Sequence, residues 1–243
     1  LDPLATGVLV VCVGPATRLI ENVQAHQKRY RATFLFGRSS DTEDVDGNVV
    51  ELVDPPRPDE HGIRTVIPRF VGPISQRPPA FSALKVAGQR AYDLARQGKE
   101  VTLQHRQVYV ARIDLLSYAY PEMTIDVECG SGTYIRSLGR DLAAALGTAA
   151  VMSQLVRTAI GSFELTNACA LEQLNSESLR SHLLPATEVF AGVPMETLLD
   201  AEVQRVRNGQ GVYRPRAGRI RRCHPQCACL PYRLWGISHR PLQ

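Results

Sequence analysis

Three short strings in this sequence carry residues able to do chemistry. Leu1-Asp2-Pro3-Leu4-Ala5-Thr6-Gly7 sets a carboxylate on a proline turn directly ahead of a β-branched run. That placement can fix an acid at the rim of a sheet, although an ordinary Asp-Pro turn reads the same way. Lys28-Arg29-Tyr30-Arg31-Ala32 sets one aromatic among three cations. Cations hold phosphates and an aromatic face stacks on an unstacked base, so the string suits a flipped or single-stranded nucleotide. A solvated strand with one core tyrosine is the competing account. Gly130-Ser131-Gly132-Thr133-Tyr134-Ile135-Arg136 is a glycine-rich turn feeding a helix. Glycines permit close approach of a ligand, and a helix N-terminus offers N–H groups to an anion. Arg136 in the first turn opposes the helix dipole, which predicts an acidic partner elsewhere in the chain or a plain surface salt bridge.

The elements that must position these residues follow from periodicity. Val8 to Val13 reads as a short buried strand, with a helical stretch from Ala16 to Ala25 after Gly14-Pro15. Lys28 to Arg38 alternates, placing Tyr30, Ala32, Phe34 and Phe36 on one side of a half-buried strand. Asp46-Gly47 signals a hairpin leading to a strand near Val49 to Val53. The acid-rich stretch Asp41 to Asp46 is not a calcium loop. Aligning Gly47 with that loop's glycine puts Thr42 and Val53 where the first and last carboxylate ligands belong. A helix is predicted around Ile63 to Phe70, an extended surface loop over Pro73 to Pro79, and a short helix over Ala91 to Gln97. Gln107 to Tyr118 and Met123 to Cys129 read as paired strands with Pro121 in the turn. Thr133 can cap a helix whose core stripe is Ile135, Leu138, Leu142 and Leu146, closed by Gly147. Val151 to Ile160 reads as a strand, and the remainder to Leu199 as mostly helical. This mixture is α+β, with hairpin-linked strands that favour an antiparallel sheet.

With 243 residues, 44% of them hydrophobic, the chain can bury a sizeable core. No window approaches eighteen uncharged apolar residues, and no basic leader precedes Val8, so a cytoplasmic location without membrane contact is the expectation. The net charge of +4 is unevenly spread: nine arginines and no acid lie between Arg205 and Gln243, leaving 19 basic against 24 acidic groups before them. Phosphate contacts by the body must therefore come from local arginine clusters. Cys12, Cys129 and Cys169 read as small buried thiols. Cys223, Cys227 and Cys229 with His224 lack the second paired knuckle of a structural zinc site.

Together with Pro78-Pro79-Ala80-Phe81-Ser82-Ala83-Leu84-Lys85 and Leu155-Val156-Arg157-Thr158, the three strings form an ordered set that resembles the TruB-type tRNA pseudouridine synthases. The resemblance runs from Leu1 to about Thr187, and more weakly from Leu198 to Val212. It implies a pseudouridine synthase fold, a mixed and mostly antiparallel sheet flanked by helices and loops. It also implies isomerisation of a uridine in the T loop of tRNA. The base is flipped out, the bond between N1 and C1′ is broken, and C5 is joined to C1′. Asp2 matches the aspartate of that chemistry, as nucleophile at C1′ or as base toward the ribose. Arg136 matches the arginine paired with it. Tyr30 matches the tyrosine that stacks on uracil and helps remove the C5 proton, Leu155 the apolar residue on the other side, and Tyr134 a lining residue. Lys28, Arg29, Arg31, Lys85, Arg90 and Arg157 are candidate phosphate contacts. Neither metal nor organic cofactor is implied. The expected partner is the T arm of tRNA, bound by a monomer.

Against the family pattern, the sequence opens at the aspartate string without a methionine, so a catalytic domain over residues 1–190 lacking its N-terminal part is expected. Residues 191–212 then read as a linker and the start of a C-terminal RNA-binding domain. Residues 213–243 read as an unpatterned basic tail, either a frame-shifted stretch or a disordered RNA-binding extension. Rival readings are a noncatalytic RNA-binding or RNA-folding protein on the same fold, a synthase acting on other RNA, and a glycosidase. The last needs a second catalytic carboxylate that no string provides.

Overall fold

The computed structural model describes residues 2–82, 103–194 and 198–211, with the backbone alone of 85–86, 89–90, 213–216 and 219–222. The chain divides into two compact units, Leu1–Val10 with Val23–Ala168, and Val11–Asn22 with Cys169–Gln243.

The first unit is built on a seven-stranded sheet. Its strands are β1 (Ala5–Gly7), β2 (Lys28–Phe36), β5 (Gly72–Gln76), β8 (Arg106–Ala119), β9 (Glu122–Cys129), β10 (Ala150–Ile160) and β11 (Phe163–Glu164). They run in the order β1-β10-β2-β9-β8-β5, and β11 pairs with β10. Only the β1–β10 pairing in this sheet is parallel. The fold is therefore the α+β, mostly antiparallel arrangement that the hairpin pattern predicts. Two small hairpins join β3 (Arg38–Ser39) to β4 (Val50–Glu51) and β6 (Lys85–Val86) to β7 (Gln89–Arg90).

Alternation in β2 turns Ala32, Phe34 and Phe36 into the core with Met123, Ile125 and Val127 of β9. The Ile135–Ala145 helix lays Ile135, Leu138 and Leu142 over that face. Burying each large side chain contributes about 1.5–3 kcal/mol. Gly139 lets the helix settle on the sheet, because a Cβ there would meet the Phe34 ring at 1.9 Å. A second helix, Glu60–Val66, is capped by Asp59, whose Oδ1 accepts the Gly62 N–H at 2.7 Å.

Several local expectations are corrected. The first strand is Ala5–Gly7 and not Val8–Val13: Gly7 adopts a φ of +93°, which takes the chain out of extended geometry, and Leu9, Val11 and Val13 are exposed. Pro73 lies within β5, not in a surface loop. This edge strand needs no outward donor, so proline is tolerated there. Thr133 does not cap the helix; its hydroxyl donates to Gly130 O at 3.1 Å within the turn, and Tyr134 is the N-cap. The predicted helix at Ala91–Gln97 lies outside the described residues.

In the second unit the 3-10 turn Gly14–Leu19 contacts the 3-10 turn Ala186–Phe190, where Leu19, Val189 and Phe190 are buried. Short turns and the four-residue helix Leu179–His182 replace the mostly helical stretch expected here. The Asp200–Arg207 helix carries Asp200 and Glu202 in its first turn and Arg205 and Arg207 in its last, matching its dipole. Tyr213–Arg216 (β12) and Arg219–Arg222 (β13) form an antiparallel hairpin inside the stretch whose sequence shows no strand pattern. Among the described residues no helix is long and apolar enough to cross a membrane.

Candidate active site

The site begins where β1 enters the sheet. Asp2 shapes the preceding turn: its carbonyl accepts the Ala5 N–H at 3.0 Å, and its Oδ1 accepts the Leu4 N–H at 3.1 Å. Local bonds of this kind are what Asp-Pro sequences favour, and they hold the carboxylate in one place. The other carboxylate oxygen, Oδ2, lies 2.6 Å from Arg136 Nε. The N–H is not aimed along a hydrogen-bond direction at that oxygen, so this contact is an ion pair first.

Arg136 is almost completely buried, and each arm of its fork is engaged. Nη1 donates to Thr42 O at 2.7 Å and to Asp44 Oδ2 at 3.1 Å, while Nη2 donates to Phe81 O at 3.0 Å. A buried guanidinium needs this many partners, since desolvation otherwise outweighs its Coulomb gain. The dipole conflict read from its first-turn position is answered by two carboxylates, Asp2 and Asp44.

Asp44 is a site residue that the sequence reading passed over. It belongs to the acid-rich stretch set aside as a calcium loop, and its side chain is only 5% exposed. The loop is stitched down by Val45 N–H to Met152 O and Met152 N–H to Glu43 O, both at 3.0 Å. Ser137 donates to Glu43 Oε2 at 3.1 Å, and Arg140 pairs with the other Glu43 oxygen. Burial pushes the Glu43 carboxyl up from its ordinary value, against the opposing pull of Arg140, Ser137 and Arg136. The sequence signal for this loop was charge without an identifiable partner, because the partner lies on a helix far along the chain.

Gln76 was missed as well. Fully buried, it donates Nε2 to Tyr134 O at 3.0 Å and accepts the Tyr134 N–H on Oε1 at 2.8 Å. This pair of bonds takes the place of a side-chain cap at the start of the helix and fixes the backbone of Tyr134, itself half-buried.

Three adjacent strands carry the remaining predicted residues. On β10, Leu155 lies between Ala5 of β1 and Ala32 of β2, and Arg157 lies between Gly7 and Tyr30. Leu155 belongs to the core. Tyr30 packs against that core, and its hydroxyl is pushed above its ordinary pKa, first by burial, then by Cys129 and Asp2, while the nearby charge of Arg157 opposes the rise. Cys129 is itself a buried thiol pushed up to about 11 by desolvation, so it is unreactive at neutral pH.

The predicted phosphate contacts divide by exposure. Arg29 and Arg31 stand in solvent, paired with Glu164 and Asp126. Lys28 is buried and donates to the carbonyls of Gln24 and His26, and its pKa is lowered by burial. Arg157 is buried and donates Nε to Val8 O at 2.7 Å. Lys85 and Arg90 are register partners across the β6–β7 hairpin. Among the described residues no group of three or more His, Cys, Asp or Glu could hold a metal ion.

The structure thus sets a cation-held carboxylate on the turn into β1, with Leu155 on the next strand and Tyr30 on the one after it. Two family models match this chain: the TruB family pseudouridylate synthase N-terminal domain over residues 1–135, and the tRNA pseudouridylate synthase B C-terminal domain over residues 136–191. A tRNA pseudouridine synthase B of Acaryochloris marina is 42% identical over 86% of the chain and 74% of that protein. One of Rhodopirellula baltica is 41% identical over 82% of the chain and 60% of its own length. Among solved structures, a Cbf5-Nop10-Gar1 complex contains a chain matched with a TM-score of 0.66 at 26% identity, over 88% of this chain and 58% of that one. The chain thus spans under two thirds of the solved protein's length. With a family model matching more than half of its residues and relatives about 40% identical over most of it, this chain belongs to the TruB family of pseudouridylate synthases.

Proposed function

We propose that the chain isomerises uridine to pseudouridine in tRNA, at the T loop, acting in the cytoplasm as a monomer. The observation that carries this reading is the ion pair between Asp2 and Arg136, on the turn into β1, with Tyr30 two strands away in the same sheet. A uridine in a folded T arm is out of reach of Asp2, so it is extruded, at a cost of a few kcal/mol, offset by phosphate contacts at exposed cations such as Arg29 and Arg31. The extruded uracil lies between Tyr30 and Leu155, lined by Tyr134.

Asp2 then breaks the bond between N1 and C1′, as nucleophile at C1′ or as base toward the ribose. Arg136 pairs with the carboxylate and aims it. Asp44 and the Thr42 and Phe81 carbonyls hold that arginine in turn. The freed base turns in the slot, C5 bonds to C1′, and the C5 proton passes to the Tyr30 oxygen as that oxygen releases its own proton to solvent, restoring the double bond of the ring. The reaction is redox-neutral, and each step uses groups that this chain supplies.

The test is incubation of the protein with an unmodified tRNA transcript, followed by mapping of pseudouridine along it. Product confined to the T loop is expected. Stable tRNA binding with no pseudouridine anywhere would instead favour a noncatalytic RNA-binding role.

A further inference from the structure

Arg157 is one of the cations read from the sequence as candidate phosphate contacts, yet its surroundings suit another task. It is 8% exposed and sits on β10 directly opposite Tyr30 of β2. Its main-chain oxygen accepts the Val8 N–H at 2.8 Å, and its Nε donates to Val8 O at 2.7 Å. One residue thus grips the chain just beyond β1 through both backbone and side chain. The grip is close because Gly7 is a glycine: a Cβ there would lie 2.3 Å from Arg157 O. A guanidinium anchored this way is fixed in direction, on the same face of the sheet as the directly opposed Tyr30 side chain.

We infer that Arg157 is a positioning residue for Tyr30, holding its hydroxyl where it takes the C5 proton and tying it to the segment that carries Asp2. This rests on the proposed isomerisation. In the proton-removal step the pair of electrons in the C5–H bond returns to the ring, and the proton passes to the Tyr30 oxygen as that oxygen gives up its own proton to solvent. The titratable groups near that side chain come from three elements: Asp2 ahead of β1, the neutral thiol of Cys129 on β9 and Arg157 on β10. Burial and the first two oppose its ionisation. Arg157 alone among them favours it, so its loss should slow this step more than any other.

The experiment compares the full chain with Arg157→Gln and Arg157→Lys on tRNA carrying uridine or 5-deuterouridine at the target. Arg157→Gln should lower kcat by about 100-fold, as loss of acid-base assistance does, leave KM unchanged, and give a primary deuterium effect on kcat. Arg157→Lys should restore part of the rate. A phosphate contact would instead raise KM with kcat unaffected, and a purely structural role would lower both isotopic rates equally together with thermal stability; either result overturns the inference. A second readout needs no activity. With 13C-labelled tyrosine assigned through Tyr30→Phe, the Tyr30 resonance should titrate at higher pH in Arg157→Gln than in the parent, and an unchanged midpoint overturns the inference. Failure of the isomerisation reading looks different: the parent makes no pseudouridine while the Tyr30 titration still responds to Arg157.

Discussion

Asp2 Oδ2 lies 2.6 Å from Arg136 Nε, joining the turn ahead of the first strand to the first turn of a helix more than half the chain away in sequence. That contact is not isolated. Arg136 is also held by Asp44, so the acid of the turn before β1 and the acid of the loop share one guanidinium. The consequences for stability and rate differ between the three residues.

Removing Arg136 should cost folding as well as activity. Arg136→Ala leaves Asp44, nearly inaccessible, without its cation, and breaking a buried pair from one side costs about 3–5 kcal/mol. Arg136→Lys keeps the charge but not the fork that serves Asp2, Asp44, Thr42 and Phe81 together, so it should fold better and still turn over slowly. Urea unfolding beside single-turnover kinetics separates the two losses.

Asp44→Asn should act through Arg136. The amide keeps the size of the carboxylate but loses the charge that orients the guanidinium, so kcat should fall while affinity for tRNA stays put. Steady-state kinetics on a tRNA transcript read both. A rise in KM at constant kcat would place Asp44 on the RNA-binding surface instead.

Glu43 should show itself in the pH dependence of stability. Burial, outweighing Arg140, raises its folded-state pKa above the unfolded value near about 4.3. The folded chain therefore binds this proton more tightly than the unfolded chain does. Its stabilising contribution is complete below the unfolded value and is lost as pH rises through the folded one. Glu43→Gln removes that loss, so in chemical unfolding the variant should gain stability relative to the parent as pH rises above the unfolded-state value.

Gly139→Ala tests the packing that seats the helix. The added methyl would lie 1.9 Å from the Phe34 ring, deep in the core, so helix and sheet must part. A loss of about 3 kcal/mol is expected despite the better helix propensity of alanine. An unchanged melting temperature would mean the helix does not press on β2.

How much of this was legible in the sequence depended on how local each signal was. The β2 alternation of Tyr30, Ala32, Phe34 and Phe36, and the stripe Ile135, Leu138 and Leu142, are written in neighbouring residues and were readable. The Val8–Val13 run misled because β propensity reports side-chain chemistry, whereas the positive φ of Gly7 ends the strand. Asp44 and Gln76 were invisible for another reason. Their partners, Arg136 and Tyr134, are distant in sequence, and nothing local distinguishes a loop acid that will be buried from one that will be solvated. Arg157 looked like any other candidate phosphate contact until the β10–β2 register set it against Tyr30.

The most direct measurement is the Asp2→Asn variant, assayed beside the parent for tRNA affinity and for pseudouridine in the T loop. The isosteric amide keeps the turn and removes the charge that faces Arg136. Unchanged affinity with no pseudouridine is the predicted result. Pseudouridine formed at the parental rate by Asp2→Asn would contradict the account, because the carboxylate that Arg136 holds would then have no part in the chemistry.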